Sequence, residues 1–262
     1  MSRKQSTRGG RNKAAGRGRE RAILDGIAPH TATGAAVLVR DDTSAGIRPG
    51  PSPKSARVPF SSATILAVDV GTTGMKMGVF RATGDGLTLV RQFSRHYAVN
   101  TYHDGLYSDI EQEKWRDAFI EGCRALGEFT GDVDVLALSG TTPGFTAMDA
   151  EGEPVAPAIL MIDQRSRDQA RRIIGAAGLP RLLETTANMP VAGGCSLASL
   201  LWIRENLPDA YRRIRVVGHS NTFMARWLSG NAAIDPSSAS LTALYHTVRN
   251  DYTWDEDIAG MF

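Results

Sequence analysis

Cysteine is scarce in this chain: Cys123 and Cys195 are the only two in 262 residues. They make no disulfide framework and no metal-ligand spacing, which excludes a small cross-linked scaffold and a structural zinc module. They read as two reduced, buried or half-buried thiols of a cytosolic protein. Long apolar runs are lacking too, and none approaches the roughly 18–20 residues that a membrane helix needs. The N-terminus is rich in arginine but has no apolar core of a secretory signal. Asp25, Asp41 and Asp42 count against a transit peptide. His96, His103, His219 and His246 are scattered without metal spacing. There is no Gly-x-Ser-x-Gly elbow and no Cys–His pair at a recognisable spacing. The expected setting is therefore cytoplasmic, with no membrane partner.

Excess charge of one sign is also lacking, but only in the sum. The net +2 hides a split: residues 1–57 carry 12 Lys or Arg against 4 Asp or Glu, and the remainder 18 against 24, so +8 precedes −6. The segment 1–60 is rich in Arg, Gly, Ser, Ala and Pro and has almost no large apolar residue. Such a composition cannot bury enough surface to offset its ordering entropy, so a disordered basic extension is expected. Its basic residues lack interleaved aromatics, and nucleic acid is not expected as a partner. The extension reads as passive, or as upstream sequence. No methionine lies between Met1 and Met75, so a later start requires a non-Met codon, for instance near Val58.

Ordered texture begins near residue 61. Segments 65–70 and 75–80 are strand-like and joined by a four-residue turn, and 87–99 suggests a third strand of a meander. Segment 111–129 has helical spacing, with Trp115, Phe119, Ile120, Cys123 and Leu126 near one face. Strands are expected at 133–138, 145–148 and 158–162, and helices at 165–174, 179–186, 197–205, 208–214 and 221–228. A strand meander followed by alternating strands and helices argues an α/β or α+β layer fold with a mixed sheet.

The stretch "AVDVGTTGMKMGVF" holds the most chemistry. Gly71 and Gly74 permit a tight turn and close approach of a ligand to backbone N–H groups. Thr72 and Thr73 add hydroxyls, making an anion nest. Asp69, expected near the end of a buried strand, would need a cation or a partner there. A nucleotide with Mg²⁺ requires both halves, phosphate donors and a hard oxygen ligand. The turn is not a Walker A loop, because a strand follows it and no Gly-Lys-Ser/Thr is present. The alternative is an ordinary hairpin turn whose aspartate satisfies backbone donors. Lys76 reads either as a phosphate-neutralising charge or as a solvated lysine.

Five segments in order carry a resemblance. They are "AVDVGTTGMKMGVF", "GLYSDIEQEKW", "LALSGTTPGFTAMDAEGEPVAPAILMIDQRS", "SLLWIRENLPDAYRRI" and "HSNTFMARWLSGNAAIDPSSAS". Over about residues 63–262 the chain resembles the amino-terminal domain of FGGY carbohydrate kinases, with a xylulokinase-like flavour. The resemblance implies an actin-like ATPase (ribonuclease H-like) α/β domain at 61–262, with a mixed five-stranded sheet and flanking helices. It implies ATP and Mg²⁺ as cofactors and a small sugar or polyol as the acceptor. Asp69, Gly71, Thr72 and Thr73 correspond to the nucleotide loop, with Asp69 as the metal residue, and Lys76 beside it is the candidate phosphate-neutralising charge. Thr141, Thr142, Asp163 and Arg165 fall on the two sugar-site loops. In the first of these, xylulokinases usually carry Gln-Met-His where this chain has Thr141-Thr142-Pro143. In the second they carry Trp-Asn-Asp-x-Arg, where it has Met161-Ile162-Asp163-Gln164-Arg165. A carboxylate such as Asp163 can accept two protons from a vicinal diol. The other reading of Asp163 is a helix cap paired with Arg165, and Asp235 reads as a local cap.

The resemblance places the family's base aspartate in a Gly-Gly-x-Asp-type loop downstream of everything present here, so no catalytic residue is assigned. Two readings compete: a carbohydrate kinase half that is inactive by itself, and a non-catalytic sugar- or phosphate-binding or interaction domain. A homo-oligomer or a separate chain carrying the second half are the protein partners left open.

Overall fold

A computed structural model describes residues 62–262. The expected disorder of 1–60 lies outside the described residues. The first layer is a mixed sheet of order β3-β2-β1-β6. Strands β1 (Ser62–Val70), β2 (Gly74–Thr83) and β3 (Gly86–His96) form the antiparallel meander. Strand β6 (Val135–Gly140) lies parallel to β1, with Asp69 beside Ser139 and Val70 beside Gly140. Period-two alternation sends Leu66, Val68 and Val70 of β1 to one face, with Met75, Met77 and Val79 of β2 beside them. Helix α1 (Glu113–Leu126) covers this face with Trp115, Phe119, Cys123 and Leu126. Each fully buried large side chain contributes about 1.5–3 kcal/mol relative to exposure.

The second sheet is antiparallel throughout, of order β4-β5-β8-β7-β9. Its strands are Asn100–Tyr102 (β4), Tyr107–Ile110 (β5), Gly144–Met148 (β7), Ala158–Leu160 (β8) and Val216–Gly218 (β9). The helices that follow β8 are α2 (Arg167–Ala177), α3 (Leu179–Thr186), α4 (Ser196–Asn206) and α5 (Pro208–Arg213). Helix α6 (Ser220–Ser229) follows β9, and the short α7 (Pro236–Ser240) and α8 (Glu256–Gly260) come last. One apolar core joins the two sheets through Ile110, Met148 and Leu160, with Phe223 of α6 against Trp115. A second holds α2, α3, α4 and α8 together around Ile173, Leu182, Leu201 and Ile258.

The expected α/β architecture stands, with one correction. The mixed sheet has four strands among the described residues rather than five. Strand β9 is only three residues long and gives its ladder to β7, while helix α6 packs beside β6. Two element ends also differ. Strand β3 stops at His96 rather than 99 because its partner β2 begins at Gly74, opposite His96, and beyond it Tyr97 only bonds its N–H to Thr73 of the turn. Helix α1 ends at Leu126 because Gly127 turns to φ 58°. The β4–β5 hairpin was not foreseen. Its turn uses His103 and Asp104 at φ 51° and 54°, conformations that no short apolar pattern signals.

Candidate active site

The site begins where β1 runs into β2. Alternation places Asp69 on the outer face of the mixed sheet, exposed, with Lys76 directly opposite it in register. The expected burial of Asp69 is therefore corrected: its carboxylate stays in water, free of the desolvation cost that a core position imposes. Between the strands, Gly71 donates its N–H to the Gly74 carbonyl at 2.9 Å. A Cβ on Gly71 would lie 2.8 Å from that same oxygen, so the turn closes only around glycine. Thr72 and Thr73 stand exposed at its tip.

Tyr97 supports this turn from behind. Its hydroxyl donates to the Gly71 carbonyl at 2.6 Å, and its backbone N–H donates to Thr73 at 3.1 Å. Burial, and secondarily the charge of Asp69, push the phenol's pKa upward, so it remains a donor throughout the physiological range. Tyr97→Phe keeps the ring and removes one hydrogen bond. It is expected to cost about 0.5–1.5 kcal/mol in urea unfolding. It should also loosen the turn, read as faster amide exchange at Thr72 and Thr73. Unchanged exchange there would mean that the turn is rigid without its brace.

The second wall is the turn from β6 to β7. Thr141 donates its N–H to Val70 at 2.7 Å, and its hydroxyl meets that of Thr72 at 2.8 Å. Thr142, half-buried, donates its hydroxyl to Gly140, and the Thr142–Pro143 peptide is cis. Behind the turn sits His219, fully buried. Its Nδ1 accepts the Gly144 N–H at 3.1 Å, which leaves the proton on Nε2, 3.3 Å from the Ser196 hydroxyl. Burial pushes the imidazole pKa down to about 4, and it is neutral at pH 7. Ser220 adds a hydroxyl donated to the Thr141 carbonyl.

The third wall is the loop from β8 to α2. Asp163 is 0% exposed, and its oxygens are occupied from within. One accepts the Arg165 N–H at 2.8 Å; the other accepts the Ser108 N–H at 2.6 Å and Arg165 Nε at 2.9 Å. Arg165 reaches on to Asp109 at 2.7 Å and to the Tyr102 hydroxyl at 3.1 Å. Its guanidinium lies over Tyr107, Trp202 and Tyr102, at 4.5, 5.1 and 5.6 Å from the ring centroids. The pair thus forms a buried charge cage that sets the loop. What the loop presents outward is Met161 and Ile162.

Of the sequence-derived residues, Thr72 and Thr141 are brought into contact, Asp69 faces Lys76, and Asp163 with Arg165 lies inside the wall. Asp235 caps α7 by accepting the Ser238 N–H, as its local pattern suggested. Tyr97, Tyr102, Asp109, Trp202 and the buried role of His219 were missed. "GLYSDI" carried a signal, since an aspartate facing inward from a strand needs a cation. Among the described residues no group of three His, Cys, Asp or Glu is placed to hold a metal. A cation here would have the Asp69 carboxylate and oxygens of its ligand or of water, a donor set that suits Mg²⁺ carried by phosphates. Cys123 and Cys195 are free and buried, and burial pushes both thiols up to about 11.

Comparison with known proteins gives this geometry a context. The model of the FGGY family of carbohydrate kinases, N-terminal domain, matches residues 64–262. Xylulose kinase of Staphylococcus xylosus is 31% identical over 199 residues, covering 75% of this chain and 40% of that protein. Xylulose kinase of Lactococcus lactis is 28% identical over 202 residues, covering 76% of this chain and 39% of the relative. Among solved structures, a kinase from Brucella ovis described as a xyloylose kinase superposes with TM-score 0.67 at 24% identity, over 76% of this chain and 40% of its own. Gluconate kinase from Lactobacillus acidophilus superposes with TM-score 0.66 at 17% identity, over 77% and 40%. The chain therefore spans about 40% of the length of the curated relatives it matches.

Proposed function

Because this chain belongs to the FGGY family of carbohydrate kinases and carries its amino-terminal domain, we propose that it forms one half of an enzyme that transfers a phosphoryl group from ATP to a hydroxyl of a sugar or polyol. The observation that carries this reading is the 2.8 Å contact between Thr72 and Thr141, which joins the glycine turn to the β6–β7 turn. A donor-rich turn and an acceptor turn then share one wall. Bound ATP with Mg²⁺ supplies the phosphoryl group and neutralises its charge. The Gly71–Gly74 turn offers backbone N–H and threonine hydroxyl donors to phosphate oxygens. Asp69 would hold the cation through its carboxylate, and Lys76 would add positive charge. Thr141 and Thr142 bind the acceptor's hydroxyls, while Asp163 and Arg165 position the adjoining loop from inside. The xylulokinase-like flavour of the acceptor draws support from the Staphylococcus xylosus relative.

Transfer also needs a base beside the attacking hydroxyl. Asp163 is committed to Ser108 and Arg165, so the base is assigned to the length that the relatives have beyond this chain. By itself the chain is expected to bind Mg-ATP weakly and to turn over nothing. The test is a thermal-shift titration with Mg-ATP, with and without a panel of ketoses, polyols, glycerol and gluconate. A ligand of the folded state raises the midpoint by mass action. Asp69→Ala, at an exposed position, is expected to leave the unliganded midpoint alone and to abolish the Mg²⁺-dependent rise. A rise that survives in the variant would reduce the opening loop to a turn. Robust phosphoryl transfer by this chain, freed of contaminating kinase, would reject the half-enzyme. A shift with sugar, none with nucleotide and no gain on adding a second half would favour the non-catalytic binding domain.

A further inference from the structure

The most exposed side chains of the β8–α2 loop are apolar, and the loop's internal bonds set where its backbone stands. Leu160 pairs with Gly144, so Met161 and Ile162 leave β8 beside Pro143 and Thr142, which lead into β7. Both are 63% exposed, whereas Asp163 next to them is 0% exposed. Gln164 donates its N–H to the Leu106 carbonyl, bringing Leu106, 48% exposed, to the same rim. The 191–194 turn closes the other side. Gly193, at φ 65°, packs so tightly on the loop that a Cβ there would lie 2.4 Å from the Met161 carbonyl. Val191, in that turn, is 44% exposed. Asp163 and Arg165 of this loop are consumed by Ser108, Asp109 and Tyr102 behind it, and the Gln164 amide is bonded to the Ile162 carbonyl and to Arg167.

Resting on the acceptor site proposed above, we propose that Leu106, Met161, Ile162 and Val191 form its specificity wall. The preferred acceptor is then a sugar or polyol deoxygenated along one face, with a methyl or methylene group where a common polyol carries a hydroxyl. A hydroxyl pressed on this wall loses its water and gains no partner, while a methyl group loses nothing and buries apolar area.

The discriminating pair is galactitol and L-fucitol, which differ by a single hydroxyl, titrated into the full chain with Mg-ATP present. L-fucitol is expected to bind about tenfold more tightly, the discrimination that one such group confers in an apolar pocket. The double variant Met161→Gln with Ile162→Asn is expected to bring the ratio to about one or to reverse it. Both positions are exposed, so its unliganded midpoint should match the parent's. Equal or tighter binding of galactitol by the parent chain overturns the inference and leaves the kinase reading standing. A tenfold ratio that persists in the variant overturns the wall and assigns the selectivity elsewhere. A chain that responds to Mg-ATP but to neither polyol overturns the acceptor site and the inference together.

Discussion

Arg165→Ala is expected to destabilise the fold by about 3–5 kcal/mol, the usual cost of removing one partner from a buried charge cluster. The side chains of Arg165, Asp109 and Asp163 are 6%, 3% and 0% exposed. Removing the guanidinium leaves two carboxylates facing each other out of water. It also vacates the slot between Tyr102, Tyr107 and Trp202. For a folded region of this size the loss corresponds to a fall in melting temperature of roughly 6–20 °C. Arg165→Lys should recover only part of it. An ammonium cannot stack between rings or span Asp163, Asp109 and the Tyr102 hydroxyl with one planar fork. A loss below about 1 kcal/mol for Arg165→Ala would mean that water reaches the carboxylates. The cage would then be no stronger than a surface pair.

His219 is expected to make stability pH-dependent in a defined window. Burial lowers its folded pKa from 6.5 to about 4. Between these values the unfolded chain binds a proton that the folded chain refuses, so stability falls as pH drops from 6.5 toward 4. Below 4 this group contributes no further loss. A tenfold difference in proton affinity between the folded and unfolded chain is worth about 1.4 kcal/mol, so about 2–3 kcal/mol should be lost between pH 7 and pH 4.5. The structural reason is specific: protonated Nδ1 could no longer accept the Gly144 N–H that anchors the start of β7. Urea unfolding at the two pH values measures the loss. His219→Gln retains an acceptor and has no titration, and it should flatten the slope. For Asp235 and Asp255 burial acts upward but hydrogen bonds outweigh it and hold both below the ordinary aspartate value, so they protonate mainly below this window and leave a small background. An identical slope in the variant would place the pH dependence in that background.

How much of this was legible beforehand follows from the range of the forces involved. The meander, helix α1 and the glycine turn rest on alternation, helical spacing and small residues within a few positions of each other, and these were readable. So was the Asp235 cap, whose partner Ser238 is three residues away. The resemblance over 63–262 agrees with the family match at 64–262 for the same reason, because linear order was enough. The candidate residues of the glycine turn and of the second and third walls were also named from linear motifs.

Their roles were not readable. Thr72 meets Thr141 across 69 residues, Arg165 meets Asp109 across 56, and Gly144 meets His219 across 75. Each contact depends on which strands pair and at what register, and no local propensity encodes that. The sequence by itself determined that a glycine–threonine turn follows an apolar strand, that the chain is of the α/β class, and which family it belongs to. Only the tertiary structure decided that Asp69 lies in water while Asp163 lies out of it. It also decided that the mixed sheet has four strands among the described residues, and that the β8–α2 loop shows Met161 and Ile162. A carboxylate's exposure and its partners are properties of the packed neighbourhood, supplied here by residues far away along the chain.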